Sequence, residues 1–470
     1  MNNIILQNYN DLLKKVIFDI FSANIKHELS KLDASGNVMN YISLLSGLDE
    51  SLCDIAKKSL ITIFETIDKS FSISTERRSK YHIKSHHERT IMTIFGEITF
   101  ERFFYRSKLT GKLYCYVDRL LGLHKYDYFD PYLKAIIVDY ASNNSMPKTA
   151  LYINNLIGNR IKLEDGFKYL SRQTVRNIIL RANISEVALN EQFEIESLYI
   201  IADEKWIHTQ NNNRCDVMEK SVVIFETITN GRLINKRAFA SLDQSFLHKA
   251  LDYIEASYDV EKIKYIYLMG DGASWIKNLT YEFKFTKGLK VIYGLDKFHF
   301  KQALHHLCLH SQLEQILTHY VLKDMKKDFI HCTNLLAKNH SHRSETILEK
   351  QKYILNNWHY IINLYKYNLS CPMEAQISHI LADLFTSRPK AYSINMINKL
   401  TKLRLLFKNK FNIKQLFLHN FNSTEILTFN QNQLYSNKLS SYFNLNNLIS
   451  NPPHSIPFDN SVRCLKFKTL

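Results

Sequence analysis

The residues best suited to chemistry are acids that follow apolar runs. "SLYIIAD" brings Asp203 to the end of a run that reads as a buried strand, with Glu204 beside it, and "KYIYLMGDG" does the same for Asp271. A third acid, Glu374, stands in "CPMEAQISHI", just inside a helix start set by Pro372. In α/β sheets, sites form beyond the carboxyl ends of strands, so two such acids can converge and a helix can add the third. Three convergent carboxylates repel one another unless a cation lies among them. Hard oxygen ligands with room for water select Mg²⁺ or Mn²⁺. Two such ions roughly 3.5–4 Å apart can activate a nucleophile and stabilise the leaving oxygen of a phosphodiester. Singly, each acid has a plainer explanation: a strand-end Asp forms turns, and a Glu in a first helical turn favours the dipole. The strand, strand, helix order on a basic chain is what favours the metal reading. Alternation sends Asp203 and Glu204 to opposite faces, and the pattern alone does not choose between them.

Five strand-like runs carry these acids: "SLYIIAD", "KSVVIFETI", "LINKRAFAS", "KYIYLMGDG" and "KVIYGLD", with one helix, "DQSFLHKALDYIEAS", between the third and fourth. That is a mixed α/β pattern over residues 195–300. Residues 301–365 turn helical and basic, and 366–400 return a further helix. Ahead of the core, 1–75 show apolar residues at three- and four-residue spacing and read as helical. Residues 76–125 form a basic linker and hairpin region: around 75–90, "STERRSKYHIKSHHERT" is basic and nearly free of apolar residues, as in a linker or an exposed DNA-facing segment. "RTIMTIFGEITFERFFYRS" then alternates like a β-hairpin. Residues 126–190 hold three helices, the last opening on the N-cap Ser171. The tail, 401–470, has weak periodicity and stays unassigned.

Composition bounds the partners. The 470 residues carry a net charge of +16 and are 45% hydrophobic, enough for more than one core. An excess of positive charge this large points to a polyanion, with nucleic acid ahead of simple compositional bias. Seven scattered cysteines without a CxxC pair fit a reduced, cytoplasmic protein. No run is long and apolar enough to cross a membrane, and the first residues do not read as a signal peptide.

Candidate DNA contacts follow. Arg172, Gln173 and Arg176 lie away from Val175, Ile178 and Ile179 on the capped basic helix, as a helix-turn-helix would require, although any three-helix bundle shares the pattern. Arg102 and Arg106 leave the hairpin on a strand face that could meet phosphate. Trp206 and Trp275 each follow an acid and suit either base stacking or core packing. The histidines of "HFKQALHHLCLH" include an i, i+4 pair but no second ligand pair, so zinc is disfavoured. Lys323, Lys326 and Lys327 track phosphate or form a solvated face. No phosphate loop is visible, so ATP is not implied.

Taken together, "TIFGEITFERFFY", "LLGLHKYDYF", "YIIADEKWIHTQ", "GDGASWI", "LDKFHFKQAL" and "SHILADLFTSRPKAYS" resemble bacterial insertion-sequence transposases of the ISLre type, within the Mutator-like group of DDE transposases. The resemblance spans roughly residues 89 to 404. It implies a fold of α/β plus α: a ribonuclease H-like mixed-sheet catalytic core with a helical insertion, preceded by helical and β-hairpin DNA-binding segments. It places the catalytic, metal-holding triad on Asp203, Asp271 and Glu374, and so favours Asp203 over Glu204. It marks Asp296 and His299 in "DKFH", and Arg388 in the last segment, as residues that help hold the transposon end. The chain departs from the family pattern at Leu384, where an Arg is expected, and at Ala391-Tyr392, where Gly-Trp is expected.

The expected function is Mg²⁺- or Mn²⁺-dependent cleavage and strand transfer at terminal inverted repeats. The partners are double-stranded DNA at transposon ends and target, engaged by a homo-oligomer on paired ends. Two alternatives stand beside it: a transposase-derived DNA-binding protein without catalysis, and a ribonuclease H-like nuclease without strand transfer.

Overall fold

The computed structural model describes residues 38–158, 170–184, 193–210, 216–308, 311–369 and 391–425, with a few isolated positions besides. They fall into two compact units, one drawn from Met1–Ser185 and Asn412–Lys466, the other from Glu186–Phe411.

In the first unit a long helix, α1 (Val38–Ile73), leads into a short one, α2 (Thr75–Lys80), whose N-cap Ser74 accepts the Arg77 N–H at 3.1 Å. A three-stranded antiparallel sheet follows: β1 (Tyr81–Thr93), β2 (Gly96–Ser107) and β3 (Leu113–Tyr114). The basic stretch expected as a linker is therefore helix α2 and the outer half of β1. It lacks apolar residues because that half of the strand is wet: His82, Ile83, Lys84, His86, His87 and Glu88 are all exposed. Nearer the turn, Ile91, Ile98 and Phe100 pack on Leu60, Ile61 and Phe64 of α1. Beneath them lie Val117, from the short helix α3 (Tyr116–Leu120), and Leu123. Helix α1 also covers the edge of β2. Glu65 accepts the Glu101 N–H at 3.1 Å and Asp68 accepts the Phe103 N–H at 2.5 Å, so side chains close backbone donors that a neighbouring strand would otherwise take.

Arg102 does not face phosphate. Its side chain, 11% exposed, turns inward to pair with Asp118 of α3, which also accepts Arg89 Nη1 at 2.8 Å. Arg89 Nη2 donates to the carbonyls of His124 and Asp127 at 2.8 and 2.9 Å. Only the tertiary fold brings Asp118 under the ribbon, so the strand pattern gave no sign of this pairing. Arg106, four residues on, is exposed.

Helices α4 (Pro131–Ala141), α5 (Met146–Gly158) and α6 (Arg172–Arg181) pack together. Asp130 caps α4, and the Ser171 hydroxyl accepts the Thr174 N–H at 3.1 Å to cap α6. Val175, Ile178 and Ile179 are buried, Arg172 and Gln173 exposed and Arg176 half-buried, as the periodicity required. The connection at 159–169 lies outside the described residues.

The second unit is built on a mixed five-stranded sheet. Its strands are β4 (Ser197–His208), β5 (Asp216–Phe225), β8 (Arg237–Ser241), β9 (Tyr265–Gly270) and β10 (Lys290–Leu295), in the order β10-β9-β4-β5-β8. β4, β5 and β8 form an antiparallel meander, while β9 and β10 extend it from β4 in parallel. A small hairpin, β6 (Thr227–Thr229) and β7 (Arg232–Ile234), interrupts the meander. Asn230 and Gly231 turn it with φ of 50° and 72°, the conformation that an Asn-Gly pair adopts most readily. "LINKRAFAS", expected as one strand, is broken at Asn235, where φ is 50°.

One sheet face carries Leu198, Ile200, Ala202, Val222, Ile224, Ile266 and Leu268 against two helices, α7 (Ser245–Ser257) and α8 (Ser274–Glu282). Five helices then run in succession: α9 (Lys297–Leu307), α10 (Ser311–Leu322), α11 (Lys326–Asn339), α12 (Ser344–Asn356) and α13 (Trp358–Lys366). They bury their own cluster around Phe300, Leu317, Phe329, Ile347 and Ile361. Helix α14 (Ile394–Lys408) packs on β8, and its Thr401 hydroxyl donates to Glu219 of β5 at 2.5 Å. The tail left unassigned from sequence thus begins inside α14. It continues as α15 (Ile413–Glu425), which packs on α4 in the first unit. Among the described residues no helix is long and apolar enough to cross a membrane.

Two outcomes follow. Asp118→Ala leaves the buried guanidiniums of Arg89 and Arg102 without their shared carboxylate; a loss of about 3–5 kcal/mol, read by urea unfolding, is expected. Burial pushes Glu219 up to about 7, against the pull of the Thr401 hydroxyl, from an ordinary 4.5. The folded chain therefore keeps this proton to higher pH than the unfolded chain, and stability falls as pH rises from about 4.5 to about 7. Glu219→Gln should flatten that decline and exceed wild type above about pH 7 by about 1–3 kcal/mol. Parallel pH–stability curves for the two proteins would contradict it.

Candidate metal centre and active site

Strand register assembles the acids. β4 and β9 pair in parallel from Ser197 beside Tyr265 to Ile201 beside Met269, and two residues further the same register sets Asp203 level with Asp271. β10 lies on the other side of β9 with Leu295 beside Gly270, which sets Asp296 level with Asp271. The Asp296 N–H holds this alignment by donating to the Gly270 carbonyl at 2.8 Å. Residues level across parallel strands point to one face, and neighbouring strands lie about 4.8 Å apart. Three acidic residues therefore stand level where the parallel pairing of three adjacent strands stops.

Asp203 is not the end of its strand. β4 runs on to His208, paired with β5 throughout, from Asp203 beside Ser221 to His208 beside Asp216. Only the parallel pairing with β9 stops before Asp203. The acid thus sits where the sheet opens on one side while its backbone stays fixed on the other. Ser221 strengthens that hold by donating its hydroxyl to the Asp203 carbonyl at 3.1 Å.

The choice between Asp203 and Glu204 is visible in their surroundings. Glu204 lies on the face of Ala202 and accepts Trp275 Nε1 at 2.5 Å, while Lys220 sits over the Trp275 ring at 5.1 Å. Asp203 lies on the opposite face. Burial, first of all, pushes its carboxyl up to about 6; the Asp271 charge adds to this, while the Glu204 N–H and His299 oppose it. Asp203 and Asp271 thus act on one another through space.

Asp271 occupies a tight turn between β9 and α8. A Cβ on Gly270 would stand 2.7 Å from Ile276 Cγ2 and 3.3 Å from the Ala202 carbonyl, so only glycine lets this turn lie against β4. Gly272 has φ of +98°, which again favours glycine. The Asp271 carboxylate accepts the Ala273 N–H at 2.9 Å. Tyr293 accepts the Gly272 N–H at 3.0 Å, and Tyr353 of α12 donates to the Asp271 carbonyl at 2.7 Å. The helical segment is thereby tied to the acid's own peptide. Tyr353 lies 82 positions from Asp271 and has no local sequence signal, so this tie was missed.

Asp296 is 2% exposed, and its Oδ1 has no hydrogen-bond partner among the described residues. Its Oδ2 lies 3.9 Å from His299 Nε2, one helical turn on. Burial raises the Asp296 carboxyl above its ordinary range, and His299 opposes the rise. Lys277 of α8 is close enough to feel the Asp271 charge, and its Nζ stands 5.2 Å from the Tyr360 ring. Trp206 is 55% exposed, whereas Trp275 is half-buried and engaged by Glu204.

Glu374, Leu384 and Arg388 lie outside the described residues. On either side of them, Leu369 packs against Gly294 of β10, and Tyr392 bridges to Thr209 just beyond β4. Among the described residues no group of three or more His, Cys, Asp or Glu side chains is arranged to hold a metal ion. Asp203 and Asp271 offer two carboxylates to such an ion, and the raising of the half-buried Asp203 carboxyl by burial and by the Asp271 charge is what a divalent cation would relieve. The other sequence-derived candidates, Arg102, Arg106, Arg172, Gln173 and Arg176, belong to the first unit.

A family model described as "Uncharacterised protein family (UPF0236)" matches residues 34–405. Among curated proteins, UPF0236 protein TTE0402 of Caldanaerobacter subterraneus subsp. tengcongensis is 27% identical over 428 residues, covering 87% of this chain and 80% of its own length. A second protein of that organism, also 27% identical over 428 residues, carries four locus labels in its name and is covered over 84% of its length. A third, 25% identical over 419 residues and again covered over 84%, carries eleven.

The geometry sets a test without substrate. Asp203→Asn removes a half-buried carboxyl that burial and the Asp271 charge both raise. In metal-free buffer above about pH 6 the variant should melt higher than wild type, by about 1–2 kcal/mol in stability. Added Mn²⁺ should stabilise wild type and leave the variant unmoved. Equal melting of the two proteins in both buffers would show that Asp203 bears no strained charge.

Proposed function

The chain belongs to the uncharacterised protein family UPF0236, and from that premise and its acid cluster we propose that it is a DDE transposase of an insertion sequence. The single observation that carries this is the placing of Asp203 and Asp271 level, on one face, at adjacent parallel strands, with the Asp203 carboxyl raised by burial and by Asp271. An antiparallel meander extended from its first strand by two parallel strands supports a ribonuclease H-like core. Helices α9 to α13, lying between Asp271 and Glu374 in the chain, support a helical insertion. Relatives present at many loci of one genome are what a mobile element leaves behind. A net charge of +16 suits a DNA substrate.

In this function Asp203 and Asp271 hold divalent metal, Mg²⁺ or Mn²⁺, with Glu374 as the third ligand. When bound, the metal supplies an activated nucleophile and charge stabilisation at the leaving oxygen of the phosphodiester. The chain's own residues hold the geometry. The strand pairing fixes the Asp203 backbone, and Tyr293 and Tyr353 fix the Asp271 turn, which would limit the rearrangement these two acids need. Asp296 and His299 lie one strand further on, placed to orient the DNA end. Arg172, Gln173 and Arg176 on α6 are the residues for reading terminal repeats, and the working species is a homo-oligomer on paired ends.

The test is strand transfer in Mg²⁺ from labelled end sequences cloned with the gene's flanks. Wild type should join ends to target, and Asp271→Asn should lose at least about 1000-fold in rate while still binding ends. Joining that survives Asp271→Asn would exclude metal ligation by this acid. Tight binding to ends with no cleavage by wild type would favour the non-catalytic DNA-binding alternative.

A further inference from the structure

Resting on the DNA-processing function above, we propose that the outer half of the β1–β2 ribbon, on the face carrying His82, Lys84 and Arg106, is a docking surface for the double helix. His82 and Arg106 stand directly opposite one another across the two strands. Like-charged or basic pairs at such positions lack the favourable cross-strand term that an acid would supply, and a bound anion restores it. Lys84 sits at the register shift between Ile83 and Ser85, and Lys112 follows in the turn to β3. All four side chains are exposed, and none of Lys84, Arg106 and Lys112 has an acidic partner among the described residues. The nearest acids are placed elsewhere. Glu76 is taken by Lys80 at 2.9 Å, and Glu101 lies on the other ribbon face, 3.5 Å from His86. Of the two arginines expected to reach phosphate, Arg102 is held inward by Asp118 and Arg106 stays outward, so the ribbon's outward charge comes from Arg106 and the residues around it near the far end.

Shape agrees with charge. From Ser85 to Thr90 the described residues pair β1 with β2 alone, so the sheet is two strands wide there, while at Arg106 the short β3 flanks β2. The major groove of B-DNA admits a two-stranded ribbon, and a bulge raises its twist. Phosphates on either side of the groove would lie against His82 and Lys84 on one strand and Arg106 on the other. Leu109, 94% exposed in the turn beyond β2, together with the exposed Ile83 and Leu113, would equally suit a lipid surface, and the experiment separates the two.

Fluorescence anisotropy of the full chain on a labelled duplex, across a series of salt concentrations, tests the surface. Lys84→Glu with Arg106→Glu should weaken binding at least about tenfold and lower the slope of log affinity against log salt by about 2. Lys58→Glu with Lys69→Glu, the same charge change on exposed positions of α1, should have a much smaller effect. Circular dichroism melting checks that each variant folds as wild type does. An unchanged affinity and slope in the ribbon variant, or an equal loss in the α1 variant, overturns the docking surface and leaves the proposed function standing. Failure of wild type to bind any duplex overturns both. Preference of wild type for anionic vesicles over duplex, lost with the ribbon charges, replaces DNA by a membrane.

Discussion

Parallel strand pairing holds Asp203 level with Asp271, and the Asp203 carboxyl, raised by burial and by the Asp271 charge, sits where β4, β9 and β10 end their parallel pairing. β4, β9 and β10 align Asp203, Asp271 and Asp296 through backbone hydrogen bonds that no side-chain change can slip without moving the whole sheet. The surroundings keep the carboxylates from drifting apart. Gly270 lets the Asp271 turn lie against the Ala202 carbonyl, and the tyrosines at 293 and 353 hold the two ends of the one peptide that joins Asp271 to Gly272. A structure that only needed stability would relax this strain by turning one acid to solvent. Here Asp203 is half-buried and Asp296 almost fully buried, so the cost is maintained by the packing around them.

Position along the sheet gives neighbouring acids different roles. Glu204, one residue from Asp203, faces the α7–α8 side and fixes Trp275, which also lies against Lys220. It helps to seat α8 and so the turn that carries Asp271. Asp203 faces the side where the acids gather. The helical segment α9–α13 reaches the same turn from its own core, through Tyr353. Movement of that segment would therefore be felt at the Asp271 peptide, which connects a long helical stretch mechanically to this acid.

The first unit divides its cations in a comparable way. Arg89 and Arg102 are drawn beneath the ribbon by Asp118 and by carbonyls, where they cross-link β1, β2 and α3. Lys84, Arg106 and Lys112 remain outside. A guanidinium that satisfies several buried acceptors stabilises a small sheet that has little core of its own. One left in water contributes almost nothing to folding and stays available to a polyanion. The same residue type thus serves folding or binding according to whether an acceptor lies beneath it.

Much of the architecture was legible in the chain itself. Alternation and apolar runs located all five strands of the sheet, and three- and four-residue spacing located α7 and the capped helix α6, because these patterns depend on nearest neighbours. The local signal failed where long-range pairing intervened. β4 continues past Asp203 because β5 pairs with it, the outer half of β1 is a strand because β2 pairs with it, and Arg102 turns inward because Asp118 arrives from elsewhere in the chain. Sequence by itself determined which acids end apolar runs and that the chain is strongly cationic, since both are properties of residue order and composition. Residue pattern left Asp203 and Glu204 open, although the family resemblance favoured Asp203; tertiary structure set Asp203 on the side that feels Asp271, placed Asp296 level with both, and decided which arginines face water. Those outcomes depend on strand register and on partners distant in the chain, neither of which residue order along one segment records.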